Sequence, residues 1–356
     1  MNSKQFDCVI IGAGPAGLSV AYHLKKLGVE FALLDREGVG SSWKRMNDSL
    51  KLVSPWWTNM LPGTALNPFY AFKKHSRSSF VKYLESYYKE KELGPLITEN
   101  VNAVRKGEEG YLLETSNGEI KCRAVVCASG YFGNPYIPEI ESDGSVDVFH
   151  ASSFKNVDQL LERGVSSVLV VGRRVTAGQL AEELCSSGIS VSLSSRGGVE
   201  VKKNDTLYGA LREQVYFFWE SLKLFCKPDL KGDSYPVMDG GKIRGYICSG
   251  EIPVYGAPKS IESGQVFLEE GIHPLNVDTV WLATGYQPKL EYLEGLDLAI
   301  QDGEMAEISS HLEEEYPGLY FIGFDNLFNF TSRYLRGIRR DSRRIADRVK
   351  LSLGEI

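Results

Sequence analysis

Three glycines, Gly12, Gly14 and Gly17, stand at the spacing with which a backbone turn cradles a pyrophosphate. Gly12 permits the tight turn, and Gly14 lets phosphate lie against N–H groups at the positive end of a helix. Gly17 lets that helix pack closely on the preceding strand. Asp35, 23 residues beyond Gly12, stands where a carboxylate accepts hydrogen bonds from an adenosine ribose. Its charge repels a 2′-phosphate, so NADP is disfavoured here, and the site holds FAD or NAD.

The elements around these residues follow from hydrophobic pattern. Cys8-Val9-Ile10-Ile11 is a short apolar run, as in a strand buried on both faces. A helix follows with Ala16, Val20, Leu24 and Leu27 at helical spacing, stopped by Gly28, and a second strand, Phe31 to Leu34, ends at Asp35. A unit of the same shape begins near residue 165: strand Val168 to Val171, a turn opened by Gly172, a helix with Ala177, Ala181 and Leu184 inward, Gly188, then strand Ile189 to Leu193. Two such starts about 160 residues apart indicate two mononucleotide-binding folds. Strands ending in Ala128-Ser129-Gly130, in Ala283-Thr284-Gly285 and at Gly323 complete the pattern. A closing helix, about 337–351, places Ile338, Ile345 and Val349 on one face and an arginine run on a solvated face. Residues 200–260 read as an insertion with one helix, about 206–226, and several loops. Its aromatics (Tyr208, Tyr216, Phe217, Phe218, Trp219) serve either as helix core or, with Trp56-Trp57, as the lining of an apolar cleft.

Composition narrows the function classes. A chain of 356 residues suggests two domains or three. A hydrophobic fraction of 43% and a net charge of −6 exclude disorder and argue against a nucleic-acid or polybasic membrane surface. The six cysteines form no CxxC and no zinc spacing, and the reading is of buried thiols in a reducing cytosol. The first strand leaves no room for a signal segment, and no apolar run reaches membrane-spanning length; a cytoplasmic location is expected. His23, His75, His273 and His311 are scattered without HExxH, and no GxSxG elbow is present.

The chain resembles, nearly end to end, the flavin-containing monooxygenase family (class B flavoprotein monooxygenases) in its compact bacterial form, among the two-dinucleotide-binding-domain flavoproteins. The matching pieces are Gly12-Ala13-Gly14-Pro15-Ala16-Gly17 and Gly40-Ser41-Ser42-Trp43, similar to GGxW. Others are Ser49-Leu50-Lys51-Leu52 with Pro62, Ala128-Ser129-Gly130-Tyr131 with Pro135 and Pro138, and Ala283-Thr284-Gly285-Tyr286-Gln287-Pro288, similar to ATG(Y/F). The resemblance implies an α/β fold of two Rossmann-like domains, the NAD(P)H domain inserted in a discontinuous FAD domain. Boundaries are expected at 1–155 (FAD, first part), 156–274 (NAD(P)H, with the aromatic-rich insertion) and 275–356 (FAD, second part). It implies FAD contacts at Gly12, Gly14, Pro15, Ala16, Gly17, Asp35, Ser42, Trp43, Ala128 and Gly130, with Gly323 and Asp325 near the flavin.

NAD(P)H is expected at Gly172, Arg174, Thr176, Ala177, Arg196, Ala283, Thr284, Gly285 and Tyr286. Here the chain departs from the family's GxGxSA, because Arg174 replaces the second glycine. The arginine either offers phosphate a charge-assisted contact or fills the site. Arg196, 24 residues past Gly172, suits a 2′-phosphate and so NADPH, with NADH as the alternative; an exposed loop charge is the plain reading of the same residue. His150-Ala151-Ser152-Ser153-Phe154 matches only the end of the family's FxGxxxHxxx(Y/F) fingerprint. No Asn occupies Leu52-Val53-Ser54-Pro55, where many members place one over the flavin, and Asn59 is the nearest substitute.

The implied activity is that of a monooxygenase: hydride from NADPH to FAD, reaction with O₂ to a C4a-hydroperoxide, and oxygen transfer to a small soft nucleophile (sulfur or nitrogen) or a ketone. The implied partners are a small-molecule substrate and O₂, with no nucleic acid, membrane or metal, and a homodimer is left open. One alternative is an NAD(P)H-dependent flavoprotein reductase that oxygenates nothing. The other is a catalytically silent FAD-binding partner protein, for which Arg174 and the broken fingerprint speak.

Overall fold

The structure, a computed structural model, describes residues 4–65, 73–201, 211–212, 214–218, 237–238, 241–269, 273–296, 312 and 314–354. Tyr208, Trp219, Cys226, His311 and most of the expected 206–226 helix lie outside the described residues; 211–212 and 214–218 are helical.

In chain order the first unit comprises β1 (Lys4–Ile11), α1 (Pro15–Lys26), β2 (Phe31–Leu34), α2 (Ser41–Lys44), α3 (Arg77–Lys91), β3 (Leu96–Ile97), β4 (Val101–Gly107), β5 (Gly110–Thr115) and β6 (Gly118–Cys127). Next come β7 (Glu141–Ser142), β8 (Asp147–His150), α4 (Asp158–Leu161), β9 (Ser167–Val171), α5 (Val175–Ser186), β10 (Ser190–Ser194), β11 (Glu200–Val201) and β12 (Val237–Met238). They are followed by α6 (Ile243–Ser249), β13 (Val254–Tyr255), β14 (Pro258–Glu262), β15 (Gln265–Leu268), β16 (Leu275–Asn276) and β17 (Thr279–Leu282). Then β18 (Leu319–Phe321) and α7 (Leu335–Ser352) close the chain.

Two parallel sheets repeat one plan. The first runs β3-β2-β1-β6, with β18 also paired in parallel to β6 and an antiparallel β5-β4 extension. The second runs β13-β10-β9-β17-β8, all parallel, beside an antiparallel β14-β15-β16 meander. Since β18 pairs with β6, everything from β7 to β17 is inserted into the first unit. The expected α/β architecture of two dinucleotide-binding folds, one interrupting the other, is therefore present.

The expected boundaries at 155 and 274 need correction. β8 lies before 155 and β17 after 274, yet both belong to the second sheet, where Val280 pairs with Val148 and with Leu169. Pairing between strands over a hundred residues apart leaves no mark in local pattern.

Apolar alternation on β1 serves two layers: Cys8 and Ile10 join the core under α1, α3 and α7, while Val9 and Ile11 face the opposite core. On α7, Ile338, Ile345 and Val349 are buried as the pattern required. The arginine run is not uniformly solvated, however. Arg336 is 5% exposed, its guanidinium 4.5 Å from the Tyr334 ring centroid, and Asp341 is 2% exposed. Among the described residues no helix is long and apolar enough to cross a membrane.

Candidate dinucleotide sites

The first site forms where β1 ends. Gly12 has φ of 113°, and a Cβ there would stand 2.4 Å from the Ala128 carbonyl oxygen. Only glycine adopts that conformation in that space. Its N–H donates to the Leu34 carbonyl at 2.7 Å, and Ala128 N–H donates to the Ile11 carbonyl at 2.9 Å. Gly14 caps α1 with ordinary extended geometry (φ −83°), and nothing lies within 4 Å of where its side chain would begin. That open seat faces the unpaired amides of a helix N-terminus, the chemistry of a phosphate site. Gly17 is required by packing, because a Cβ would meet the Gly12 carbonyl oxygen at 1.9 Å.

Asp35 fastens this turn. Its Oδ2 accepts from Ala13 N–H at 3.0 Å. Its Oδ1 accepts from the N–H groups of Glu37 and Gly38, both at 3.0 Å, and from Ser41 Oγ at 2.9 Å. Oδ2 has a single donor among the described residues and keeps a lone pair for a ribose hydroxyl. Gly40 N–H donates to the Ala13 carbonyl at 3.0 Å, which brings α2, with Ser42 and Trp43, beside the glycine turn. The Trp43 ring packs edge-on against Phe80 (4.6 Å) and Phe132 (5.8 Å).

The late strand reaches the same place. A Cβ on Gly323 would lie 3.2 Å from Ala16 Cβ, so the end of β18 touches the start of α1. Asp325 N–H donates to Tyr131 Oη at 2.6 Å, and its carboxylate is ion-paired with Arg333 at 2.9 Å. Gly12 to Gly17, Ala128 to Tyr131 and Gly323 to Asp325 thus converge at the carboxyl ends of β1, β6 and β18. These residues fit a dinucleotide. Asn59 does something else: it is 1% exposed, its Oδ1 accepts from Ser54 Oγ at 2.7 Å, and its Nδ2 donates to the Ser54 carbonyl at 3.2 Å. The amide closes its own loop, so the suggestion of a flavin hydrogen bond loses its motive.

The second site repeats the first position by position. Gly172 has φ of 152°, and a Cβ there would stand 2.5 Å from the Ala283 carbonyl oxygen. Gly172 N–H donates to the Ser194 carbonyl at 2.8 Å, as Gly12 does to Leu34, so Ser195 occupies the place of Asp35. Gly130 and Gly285 match too, with φ of 67° and 92°. Arg174 caps α5 as Gly14 caps α1, and the buried Ala177 takes the place of Gly17. Thr176 lies in the exposed first turn of α5.

A cavity of about 540 Å³ opens at this turn, lined by Gly172, Arg173, Arg174, Ser195, Arg196 and Thr284 among others, with Glu139 and Glu269 on its walls. Three guanidinium groups on one cavity suit a ligand with several phosphates. Arg173, Ser195 and Glu269 were not singled out in the sequence, although Arg173 and Ser195 are chain neighbours of residues that were.

His150 is structural. Its Nε2 stands 3.0 Å from the Gly285 carbonyl oxygen and its Nδ1 accepts from Ser152 N–H at 3.0 Å, which fixes a neutral Nε2–H tautomer. Burial holds its pKa below the ordinary value, against the opposing Gly285 hydrogen bond. Tyr286 packs edge-on against His150 (5.1 Å) and Phe132 (5.2 Å) where the two units meet. Burial also pushes the thiols of Cys8, Cys122 and Cys127 well up, so none is a thiolate at neutral pH.

Two glycine turns of one geometry, one sealed by a carboxylate and the other ringed with arginines, define an oxidoreductase that carries two dinucleotides. Residues 9–215 match the pyridine nucleotide-disulphide oxidoreductase family, and the chain belongs to it. Its cofactors are FAD and a pyridine nucleotide. The chain is similar to an uncharacterized oxidoreductase (CzcO) of Bacillus subtilis, with 28% identity covering 97% of this chain and 99% of that one. It is also similar to a probable indole-3-pyruvate monooxygenase of Arabidopsis thaliana, with 29% identity covering 98% and 88%. Among solved structures, a flavin-containing monooxygenase from Stenotrophomonas maltophilia shares the fold with a TM-score of 0.77, at 20% identity over 98% of this chain and 99% of that one.

Proposed function

We propose that the protein is an NADPH-driven flavin monooxygenase that uses O₂ to oxygenate a small soft nucleophile, at sulfur or nitrogen, or a ketone. The observation that carries the nucleotide assignment is the exchange of Asp35 for Ser195 at matching points of the two turns, with Arg196 following Ser195. A carboxylate accepts ribose hydroxyls but repels a 2′-phosphate; a hydroxyl beside a guanidinium lacks that repulsion and offers the 2′-phosphate donors. NADPH therefore goes to the second turn, and the first is left for FAD, as the family resemblance implies. The oxygenating activity draws its support from the likeness to monooxygenases along nearly the whole chain.

When bound, FAD would supply the redox chemistry, linking the hydride of NADPH to O₂. Overall, one substrate, one O₂, one NADPH and one proton would yield one oxygenated product, one NADP⁺ and one water. The chain's own residues bind and orient. Gly12 and Gly14 would seat the FAD pyrophosphate at the start of α1, Gly17 lets that helix pack on the turn, Asp35 would take the ribose, and Arg173, Arg174 and Arg196 would hold the phosphates of NADPH.

A second reading, an NADPH-dependent reductase that oxygenates nothing, needs the same two sites. The deciding experiment is anaerobic mixing of the yellow protein with NADPH, then NADH, followed by oxygen in the presence of thioether, amine and ketone substrates. Bleaching by NADPH with oxygenated product in step with O₂ consumed supports the monooxygenase. Bleaching with hydrogen peroxide as the sole product gives the reductase. No bleaching by either nucleotide leaves an FAD-binding partner protein whose second site Arg174 has closed.

A further inference from the structure

The two turns are joined mechanically by a segment to which neither the motifs nor the proposed chemistry gives a role. Residues 45–57 follow directly from α2, whose cap Gly40 is hydrogen-bonded to Ala13 inside the first turn. Along this strip the first unit is bound to three separate pieces of the second. Asp48 N–H donates to the Lys155 carbonyl at 2.8 Å, and Asn156 Nδ2 donates to Asp48 Oδ2 at 3.1 Å. Trp57 Nε1 donates to Gln214 Oε1 at 2.7 Å. Between these, Gln179 Nε2 donates to the Lys51 carbonyl at 3.1 Å, and Ser49 Oγ donates to Glu183 Oε2. Asn47 Nδ2 donates to Ser49 Oγ at 2.9 Å, so the hydroxyl hydrogen is left for Glu183.

Gln179 and Glu183 are four residues apart on α5 and share one face of the helix. The same helix begins at Arg174, about 7 Å along its axis from Gln179 at 1.5 Å per residue. A continuous path therefore runs from Ala13 through Gly40, α2 and the 45–51 strip into α5 and back to the second turn. Its links are hydrogen bonds, two helices and the short run of backbone between them.

We infer that Gln179 and Glu183 are positioning residues: they dock the helix that carries the pyridine-nucleotide seat onto the strip anchored at the FAD seat, and so set the separation of the two cofactors. The inference rests on the dinucleotide assignment of the second turn. Hydride transfer is sensitive to small misplacements, so undocking acts on rate and leaves nucleotide affinity alone, because neither side chain touches the cavity at Gly172.

The test compares the FAD-loaded wild type with Q179A/E183A and with E183Q, whose amide oxygen still accepts from Ser49. Dye or spin labels on exposed α3 and α6 residues report the distance between the units without nucleotide. Anaerobic mixing gives the limiting rate of flavin reduction, and titration gives the Kd for NADP⁺. The double variant is expected to broaden the distance distribution and slow limiting reduction about tenfold or more. Bound FAD and the Kd are expected to stay within about twofold of wild type, with E183Q near wild type. An unchanged distance distribution, or a Kd that rises as far as the rate falls, overturns the inference. If NADPH does not reduce even the wild type, the functional reading fails and the distance measurement alone decides the docking role.

Discussion

Gly14 and Arg174 occupy the same point in two turns of one geometry: each caps its helix with ψ of −173°, with φ of −83° and −104°. The backbone conformation is open to any residue, so glycine at 14 is a matter of space and not of strain. The second turn spends that space on a guanidinium.

Arg174 lines the arginine-ringed cavity, and under the proposed function its side chain would take over part of the work that backbone amides do at the first turn. R174A is expected to weaken NADP⁺ binding about tenfold, or ~1.4 kcal/mol, within the range of a hydrogen bond to a charged group. Titration at two salt concentrations checks it, since loss of a phosphate contact also flattens the salt dependence. Tighter binding by R174G would show that the guanidinium fills the seat and opposes the nucleotide.

The reciprocal change separates folding from binding at the first turn. G14R places a side chain in open space and is expected to keep its circular dichroism and the melting temperature of the FAD-free wild type while purifying without flavin colour. G17A drives a methyl group to 1.9 Å from the Gly12 carbonyl oxygen and is expected to cost about 3 kcal/mol or more of stability. A yellow G14R or a fully stable G17A would contradict the geometry.

Nucleotide choice should move with the Asp35–Ser195 exchange. R196A is expected to lower the preference for NADPH over NADH by about tenfold, and S195D, which imports the carboxylate of the first turn, by more. The ratio of limiting reduction rate to half-saturating concentration for the two nucleotides measures this. An unchanged ratio in both variants would place the 2′-phosphate elsewhere.

His75 gives the protein an acid-sensitive spot. It is 8% exposed between Trp56, Phe80 and Tyr83, and its Nε2 has no hydrogen-bond partner among the described residues. Ser79 Oγ already donates to the Ser76 carbonyl at 3.0 Å, so His75 Nδ1 donates to Ser79 Oγ at 3.1 Å and the bare nitrogen is Nε2. Burial lowers its pKa from 6.5 to about 4. The folded state therefore favours the neutral ring. That contribution is complete above the unfolded value and is lost as pH falls from 6.5 towards 4, a cost of up to about 3 kcal/mol. H75F is expected to flatten melting temperature against pH across that window. A curve as steep as wild type would assign the acid response to other groups.

Much was legible in the chain itself. Gly12, Gly14 and Gly17 between an apolar strand and an amphipathic helix specify their turn through short-range sterics, and Asp35 follows at a distance set by one helix and one strand. The second start at Gly172 repeats the rule, as do the buried Ile338, Ile345 and Val349. These features depend on residues within about thirty positions of one another, so local pattern suffices. What depends on distant residues did not show. Tertiary structure alone pairs β17 with β8 and moves both domain boundaries. It also presses Gly12 against Ala128 and Gly172 against Ala283, engages Asn59 with Ser54, and gathers Arg173, Arg174 and Arg196 on one cavity. The docking of Gln179 and Glu183 on residues 49–51 belongs there too. Strand pairing and side-chain convergence between remote segments are settled by which packing buries the most apolar surface with every backbone group satisfied, a property of the whole chain that no stretch of it carries alone.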